Sequence, residues 1–262
     1  MIHHAVSELI LDRLAPDAAV LDVGGGRFPW FRATHIIDRR PYDNMVRPIA
    51  FAGRTGENQR FTPDTWTARD FYDLPWPFDD QQFDFSLCMG TLEDLHDPFT
   101  IAAEIQRVSK AGYVSTPTRA AESTRGVSRH PDTNQLFGYV HHRWFVEIEH
   151  GALVFTDKNP MLHQHPQHAV DDFQQHTLNF FWEHELPTRQ RALPGIAPIL
   201  DDLARFAREH RLWLDDCAHN PTDRNDRYNR WPAHWGDRPR FLELPGVTGV
   251  HPADALPAAA AT

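Results

Sequence analysis

Apolar positions along the first half of this chain alternate between helical and strand-like spacing. Val6, Leu9, Ile10 and Leu14 share one stripe, predicting an amphipathic helix over residues 2–14 that stops at Pro16. Ala19-Val-Leu predicts a short buried strand that ends in Asp22 and turns at once through Gly24, Gly25 and Gly26. A second apolar run, His35-Ile-Ile, ends in Asp38. Residues 39–64 then hold Pro41, Pro48, Gly53, Gly56 and Pro63 with no period of either kind, which predicts a functional insertion or lid. Thr65-Trp-Thr-Ala-Arg predicts a third strand ending in Asp70, and Phe83-Asp-Phe-Ser-Leu-Cys88 a fourth. Pro98 opens a helix over residues 98–108 with Ile101, Ala102, Ile105 and Val108 at helical spacing. Tyr113-Val-Ser-Thr predicts a fifth strand, ending at Pro117.

The second half is less regular. His142-Arg-Trp-Phe-Val-Glu-Ile-Glu, a turn at His150-Gly151 and Ala-Leu-Val-Phe-Thr-Asp predict a hairpin, read as the antiparallel addition to the sheet. Residues 169–184 and 196–210 predict helices, the latter with Ile199, Leu200, Leu203, Phe206 and Ala207 on one face. Leu212-Trp-Leu reads as a late strand. Beyond Gly246 the chain is rich in Pro and Ala, lacks a core pattern and is expected to be disordered. No internal repeat is visible.

A strand, a glycine turn, a connector and a second strand ending in an acid form the opening of a nucleotide-type α/β site. The glycines let the backbone turn sharply and leave no Cβ against a ligand, and Asp38 can accept both hydroxyls of a ribose. A dinucleotide fingerprint needs a third glycine where Pro29 stands, and Asp22 would repel a pyrophosphate. S-adenosylmethionine (SAM) has no phosphate and carries an ammonium and a sulfonium, so an acid at that turn is favourable.

At these residues the chain resembles the class I SAM-dependent methyltransferases, whose first motif, acid-x-Gly-x-Gly, is matched by Asp22-Val-Gly-Gly-Gly. Asp70-Phe71 is similar to the family's pair after strand three, an acid for the adenine amino group and a residue packing on the ring. The run DLPWPFDDQQFDFSLCMGTLEDLHDP, residues 73–98, resembles the family's stretch around strand four, and Glu104-Ile-x-Arg107-Val its following helix. Two departures stand out: Asp94 replaces the histidine that usually follows Leu-Glu, and Lys110-Ala-Gly112 shortens the usual Lys-Pro-Gly-Gly turn. Residues 122–158 weakly resemble methyltransferase-domain proteins of bacterial glycan or natural-product pathways.

The resemblance implies an α/β fold with a doubly wound, mostly parallel, Rossmann-like sheet and a C-terminal helical cap. It implies a SAM-binding core over residues 1–157, a lid at 39–64, a cap or substrate region at 158–245 and a tail at 246–262. The cofactor-binding set it implies is Asp22, Gly24, Gly25, Gly26, Asp38, Arg39, Asp70, Phe71, Cys88 and Met89.

Composition narrows the partners. In 262 residues, 26 basic and 36 acidic side chains give a formal charge of −10, and Lys110 and Lys158 are the sole lysines. Without a basic stripe, nucleic-acid methylation is disfavoured. Cys88 and Cys217 offer no disulfide framework or zinc pair, and no apolar run suggests a signal or a membrane span. The expectation is a cytoplasmic enzyme acting on a small molecule. Its oligomeric state stays open, a homodimer being one option.

For proton removal the candidates lie after strands four and five: Glu93 and Asp94 on one loop, Glu122, His130, His141 and His142 on or beyond the other. A histidine titrates near neutrality, and Glu122 paired with His141 or His142 would fix the imidazole tautomer; the same pair could equally pin the loop to the hairpin. His142, His141 and Glu122 are therefore the catalytic candidates. His163, His165 and His168 could bind a transition metal with Asp171, but solvated loop histidines are the expected reading, and no metal ligand is assigned. Trp182, Trp213, Trp231 and Trp235 read as core before pocket, and Trp30 either covers the methionine part of SAM or closes the first helix on the sheet. The expected function is methyl transfer from SAM to oxygen or nitrogen of a small acceptor. Two alternatives are a SAM-using enzyme without methyl transfer (cyclisation or elimination) and a non-catalytic SAM-binding pathway protein; an NAD enzyme is opposed by Asp22 and Pro29.

Overall fold

In the first helix, α1 (His4–Leu11), Val6 and Ile10 sit one turn apart and are both buried, which sets this helix against the sheet. The computed structural model describes residues 4–45, 59–125, 127, 132, 136–164, 177–219 and 229–230. Strands β1 (Val20–Val23), β2 (His35–Asp38) and β3 (Trp66–Ala68) follow, then β4 (Phe85–Met89) and β5 (Ala111–Pro117). All five are parallel and lie in the order 3-2-1-4-5, with β1 between β2 and β4. Every residue of β1 and β4 is buried, as expected for strands covered on both faces, and this is why they read as unbroken apolar runs.

Helix α2 (Pro98–Val108) starts where the sequence indicates. Asp97 accepts hydrogen bonds from Phe99 N and Thr100 N, and Pro98 fills the first turn, where no amide donor is missed. Its buried stripe of Ile101, Ala102, Ile105 and Val108 packs on the sheet. A one-turn helix, α3 (Arg119–Glu122), follows β5 directly.

Three sequence expectations are corrected beyond residue 122. The hairpin exists as β6 (Trp144–Glu149) and β7 (Ala152–Asp157), turning through positive φ at His150 and Gly151, but it does not extend the main sheet. It pairs instead with β9 (Thr188–Arg191) in a separate three-stranded sheet. The antiparallel addition to the main sheet is β8 (Thr177–Glu183), within a segment expected to be helical. Spacing alone cannot separate a short apolar run from a buried helix; the aromatic run Phe180-Phe181-Trp182 is buried on both faces, and the free edge of β5 supplies its partner. Finally, Leu212-Trp-Leu is no strand but part of α4 (Ile196–His219).

A short strand, β10 (Asn229–Arg230), lies on the outer side of β8 and completes seven strands. Strands from beyond the expected core boundary at residue 157 thus complete the main sheet. The second sheet packs on α2 through Trp144 and Phe155, which meet the Phe99 ring edge-on at 5.9 and 5.5 Å. Helix α4 is tied in by Arg119, fully buried, whose guanidinium reaches Glu147 at 2.7 Å and Asp202 at 2.5 Å between the rings of Phe145 and Phe206. Among the described residues no helix is long and apolar enough to cross a membrane. The C-terminal tail, residues 46–58 of the 39–64 segment, His130, His165, His168, Asp171, Trp231 and Trp235 lie outside the described residues.

Candidate active site

Strand order reverses between β1 and β4, and at such a switch point the loops leaving the strand ends part to form a crevice. Here it is a cavity of about 750 Å³. The glycine turn after β1, Asp38 with Arg39 after β2, Asp70 with Phe71 after β3, and Gly90 with Thr91 after β4 all line it. His141 and Arg143, ahead of β6, stand at its wall with Asp94. A larger cavity of about 980 Å³ lies at the opposite strand ends between Arg13, Asp17, Asp84 and Trp182. It lacks the glycine turn and lies away from the strand ends that carry Asp38 and Asp70.

The turn is built on glycine for two separate reasons. Gly24 has φ +76°, and a Cβ there would lie 2.2 Å from Thr91 Oγ1, so the two loops can meet only if position 24 has no side chain. Gly26 has φ +54°, a left-handed backbone that aims its N–H at Asp38 Oδ2 at 2.8 Å, while Arg40 N donates to Asp38 Oδ1 at 2.6 Å. The Asp38 carboxylate is thus clamped between two amides with lone pairs left for a ligand. Asp70 Oδ1 accepts from Tyr72 N at 3.0 Å, which fixes the acid and sets Phe71 into the wall.

Asp22 lies under this turn, fully buried. One oxygen accepts from Trp30 N at 2.7 Å and the other, Oδ1, has no partner. Burial is the main cause that lifts its pKa to about 7. Glu93 is equally buried, its carboxyl unpartnered, and burial lifts it to about 7 as well. Trp30 closes α1 on the turn through Nε1 to Ser7 Oγ at 2.9 Å and does not reach the cavity. Cys88 and Met89 also fall short of it: the first belongs to the core cluster that holds Val23 and Leu92, the second to the one that holds Val20 and Trp30. Trp182 is core.

Opposite the glycine turn, the second sheet brings its histidines in. Arg143 N bonds Glu93 O at 2.8 Å, and Lys158 N bonds Arg143 O at 2.8 Å, pinning the start of β6 to the loop after β4. Glu122 Oε1 meets His142 Nδ1 at 2.5 Å, while Oε2 pairs with Lys158 Nζ and accepts from Tyr139 N. Burial pushes the Glu122 carboxyl up, but His142 and Lys158 outweigh it and hold it below its ordinary value. Burial alone would lower His142; its bond to Glu122 turns the net shift upward. His142 Nε2 then faces Asp94 Oδ1 at 3.7 Å. His141, mostly exposed, is 4.0 Å from the same oxygen. His163 is turned away, Nδ1 against Phe137 O at 2.7 Å.

Thr91, Tyr72, Arg143 and Lys158 were not singled out by the sequence. Lys158 alone carried a signal, as one of two lysines in the chain.

Residues 30–114 match the family model described as "Methyltransferase domain". This segment is a methyltransferase domain. Nothing among curated proteins matches the chain. Solved structures similar to it include the Haloferax volcanii complex of the Trm112 methyltransferase activator and a methyltransferase (21% identity, 44% of this chain, 53% of that one, TM-score 0.31). A SAM-dependent methyltransferase from Mesorhizobium loti is 14% identical over 60% of this chain and 66% of its own, with TM-score 0.33. The [4+2]-cyclase SpnF is 20% identical over 46% and 47%, with TM-score 0.31. The chain thus spans between about half and two thirds of the length of these structures.

The cofactor of the methyltransferase domain is S-adenosylmethionine, and the residues present fit it. Asp22 lies beneath the turn and not on the cavity wall, an acid whose unpartnered oxygen favours a cation above it, while Asp38 presents a clamped acceptor beside a turn without side chains, and Asp70-Phe71 offers an acid and a ring along the same wall. Asp22 also makes a prediction. Its folded pKa lies above the unfolded value, so its contribution to stability is present below about pH 4 and lost as pH rises through about 7. Between pH 5 and 8 the ligand-free protein should therefore lose more stability than Asp22→Asn does, by on the order of 2 kcal/mol. Denaturant melts of both proteins at the two pH values check this; parallel losses would refute it.

Proposed function

We propose that the chain transfers a methyl group from SAM to oxygen or nitrogen of a small-molecule acceptor. The observation that carries this reading is the single cavity at the sheet's switch point, with the glycine turn, Asp38, Asp70 and Phe71 on one side and Asp94, His141 and Arg143 on the other. Bound SAM supplies an electrophilic methyl group on a sulfonium sulfur. Asp38 takes the ribose hydroxyls, Asp70 and Phe71 the adenine, and the turn over Asp22 the cationic methionine end. Acceptor atoms reach the methyl from the histidine side, where His141 at the cavity wall draws the acceptor's proton away, backed by the buried His142 ring that Glu122 holds. Specificity for the acceptor falls to residues 39–64 and to the region after 158. A formal charge of −10 favours a neutral or cationic small molecule over a polyanion.

Calorimetric titration of the purified protein with SAM, S-adenosylhomocysteine and NAD tests the reading. SAM and S-adenosylhomocysteine should bind and NAD should not. Asp38→Ala should weaken SAM by about tenfold or more, the loss of charge-assisted hydrogen bonds. Binding of NAD in place of SAM, or of neither, would remove the basis of the proposal.

A further inference from the structure

Asp94 departs from the family pattern, which places histidine there, and the structure gives that departure a context. Its Oδ1 is buried and has no hydrogen-bond partner. His142 Nε2 at 3.7 Å and His141 Nε2 at 4.0 Å point to the same oxygen, and the three donor atoms lie within 4.8 Å of one another. Glu122 holds the other ring nitrogen of His142 through Oε1 and pairs with Lys158 through Oε2, so His142 Nε2 is the nitrogen turned toward Asp94. What converges at Asp94 is two imidazole nitrogens and a carboxylate oxygen, three atoms that each offer an electron pair to a cation when the histidines are neutral.

We propose that Asp94, His141 and His142 form a binding site for a divalent transition-metal cation at the wall of the cofactor cavity. Donors sharing one such ion sit roughly 3.0–3.5 Å apart, given metal–ligand bonds of about 2.0–2.2 Å, so the two contacts to Asp94 must close by about 1 Å or less and the two histidine nitrogens by less than about 2 Å. The exposed His141 ring is free to make that adjustment. His142 is pre-set: a histidine ligand ordinarily has its second nitrogen held by a carboxylate, and Glu122 does this at 2.5 Å. Imidazole nitrogens select manganese to zinc over magnesium or calcium, and two histidines with one carboxylate leave positions open on the ion. Adjacent open positions are best filled by a chelating pair of oxygens. The acceptor class this implies, which rests on the methyl-transfer reading with the ion instead of the ligated histidines easing loss of the acceptor's proton, is a vicinal diol or a 2-hydroxy acid. The cation site itself stands without that reading.

The test uses the full chain, stripped with chelator and titrated with Co²⁺ while its visible absorption is followed. One equivalent should bind with bands of nitrogen and oxygen ligation, and Asp94→Asn and His141→Ala should each weaken it at least about tenfold. Both substitutions are at partly exposed side chains, so the fold should survive; circular dichroism checks this. Absence of Co²⁺ binding, or equal binding by the wild type and both variants, would overturn the site and assign any residual uptake to other histidines. A parallel SAM titration of the wild type separates the two proposals. SAM binding without Co²⁺ binding defeats the metal site alone, and Co²⁺ binding without SAM binding defeats the methyl-transfer reading alone.

Discussion

Glu122→Ala should destabilise the protein by about 3–5 kcal/mol, the cost of leaving one member of a buried ion pair without its partner. Lys158 is the group stranded: its side chain is 1% exposed, and burial already lowers its pKa with only Glu122 to offset it. The substitution also frees the His142 ring and the Tyr139 amide. For a chain of this size the melting midpoint should fall by roughly 6–20 °C. The double variant Glu122→Ala/Lys158→Met removes both charges and should recover a large part of the loss, because the expense lies in the unpaired cation more than in the missing bond. Thermal melts of the two single variants and the double complete the cycle. Additive losses would show that the pair is not coupled.

Gly24→Ala should abolish useful SAM binding, by about 100-fold or more, with less effect on stability than Glu122→Ala. The added Cβ would sit 2.2 Å from Thr91 Oγ1 on a backbone at φ +76°, so the loops after β1 and β4 must separate at the floor of the cavity. A shift of about 1 Å at a site that works by positioning costs on the order of 10². Gly24→Ala/Thr91→Ala removes the overlap with Thr91 Oγ1 and Cγ2 but not the left-handed backbone. It should regain part of the affinity, leaving a deficit of about 1–2 kcal/mol from the backbone. Calorimetry on the three proteins measures it, and wild-type affinity in Gly24→Ala would contradict the role given to the turn.

The two halves of the cavity differ in how visible they were from the sequence. Gly24 to Gly26, Asp38 and Asp70-Phe71 were legible because each sits at a strand end, where the apolar run, the turn residue and the acid are neighbours in the chain. Cys88 and Met89 were also placed at a strand end, yet neither side chain reaches the cavity. Which way a residue points at the end of a fully buried strand is set by the pleat and the packing, and an unbroken apolar run carries no alternation to reveal it. The histidine side depends on contacts over long sequence separation. The Glu122 pairing with Lys158 spans 36 residues and the start of β6 leans on a loop some 50 residues earlier, so residue types suggested a Glu–His pair but not the lysine that neutralises it. For β8 the deciding fact was the open edge of β5, a property of the folded sheet and not of residues 177–183.

That late strand has a consequence for how the chain is made. While residues up to 157 have left the ribosome, β5 is the outermost strand of the main sheet, and Tyr113 and Val114, buried in the finished protein, lack the cover that Phe180 and Phe181 later provide. An unpaired apolar edge of this kind recruits whatever strand comes near. The nascent chain must therefore hold that edge open through the synthesis of an entire second sheet hairpin before its proper neighbour arrives, and a fragment ended at 157 would never receive it.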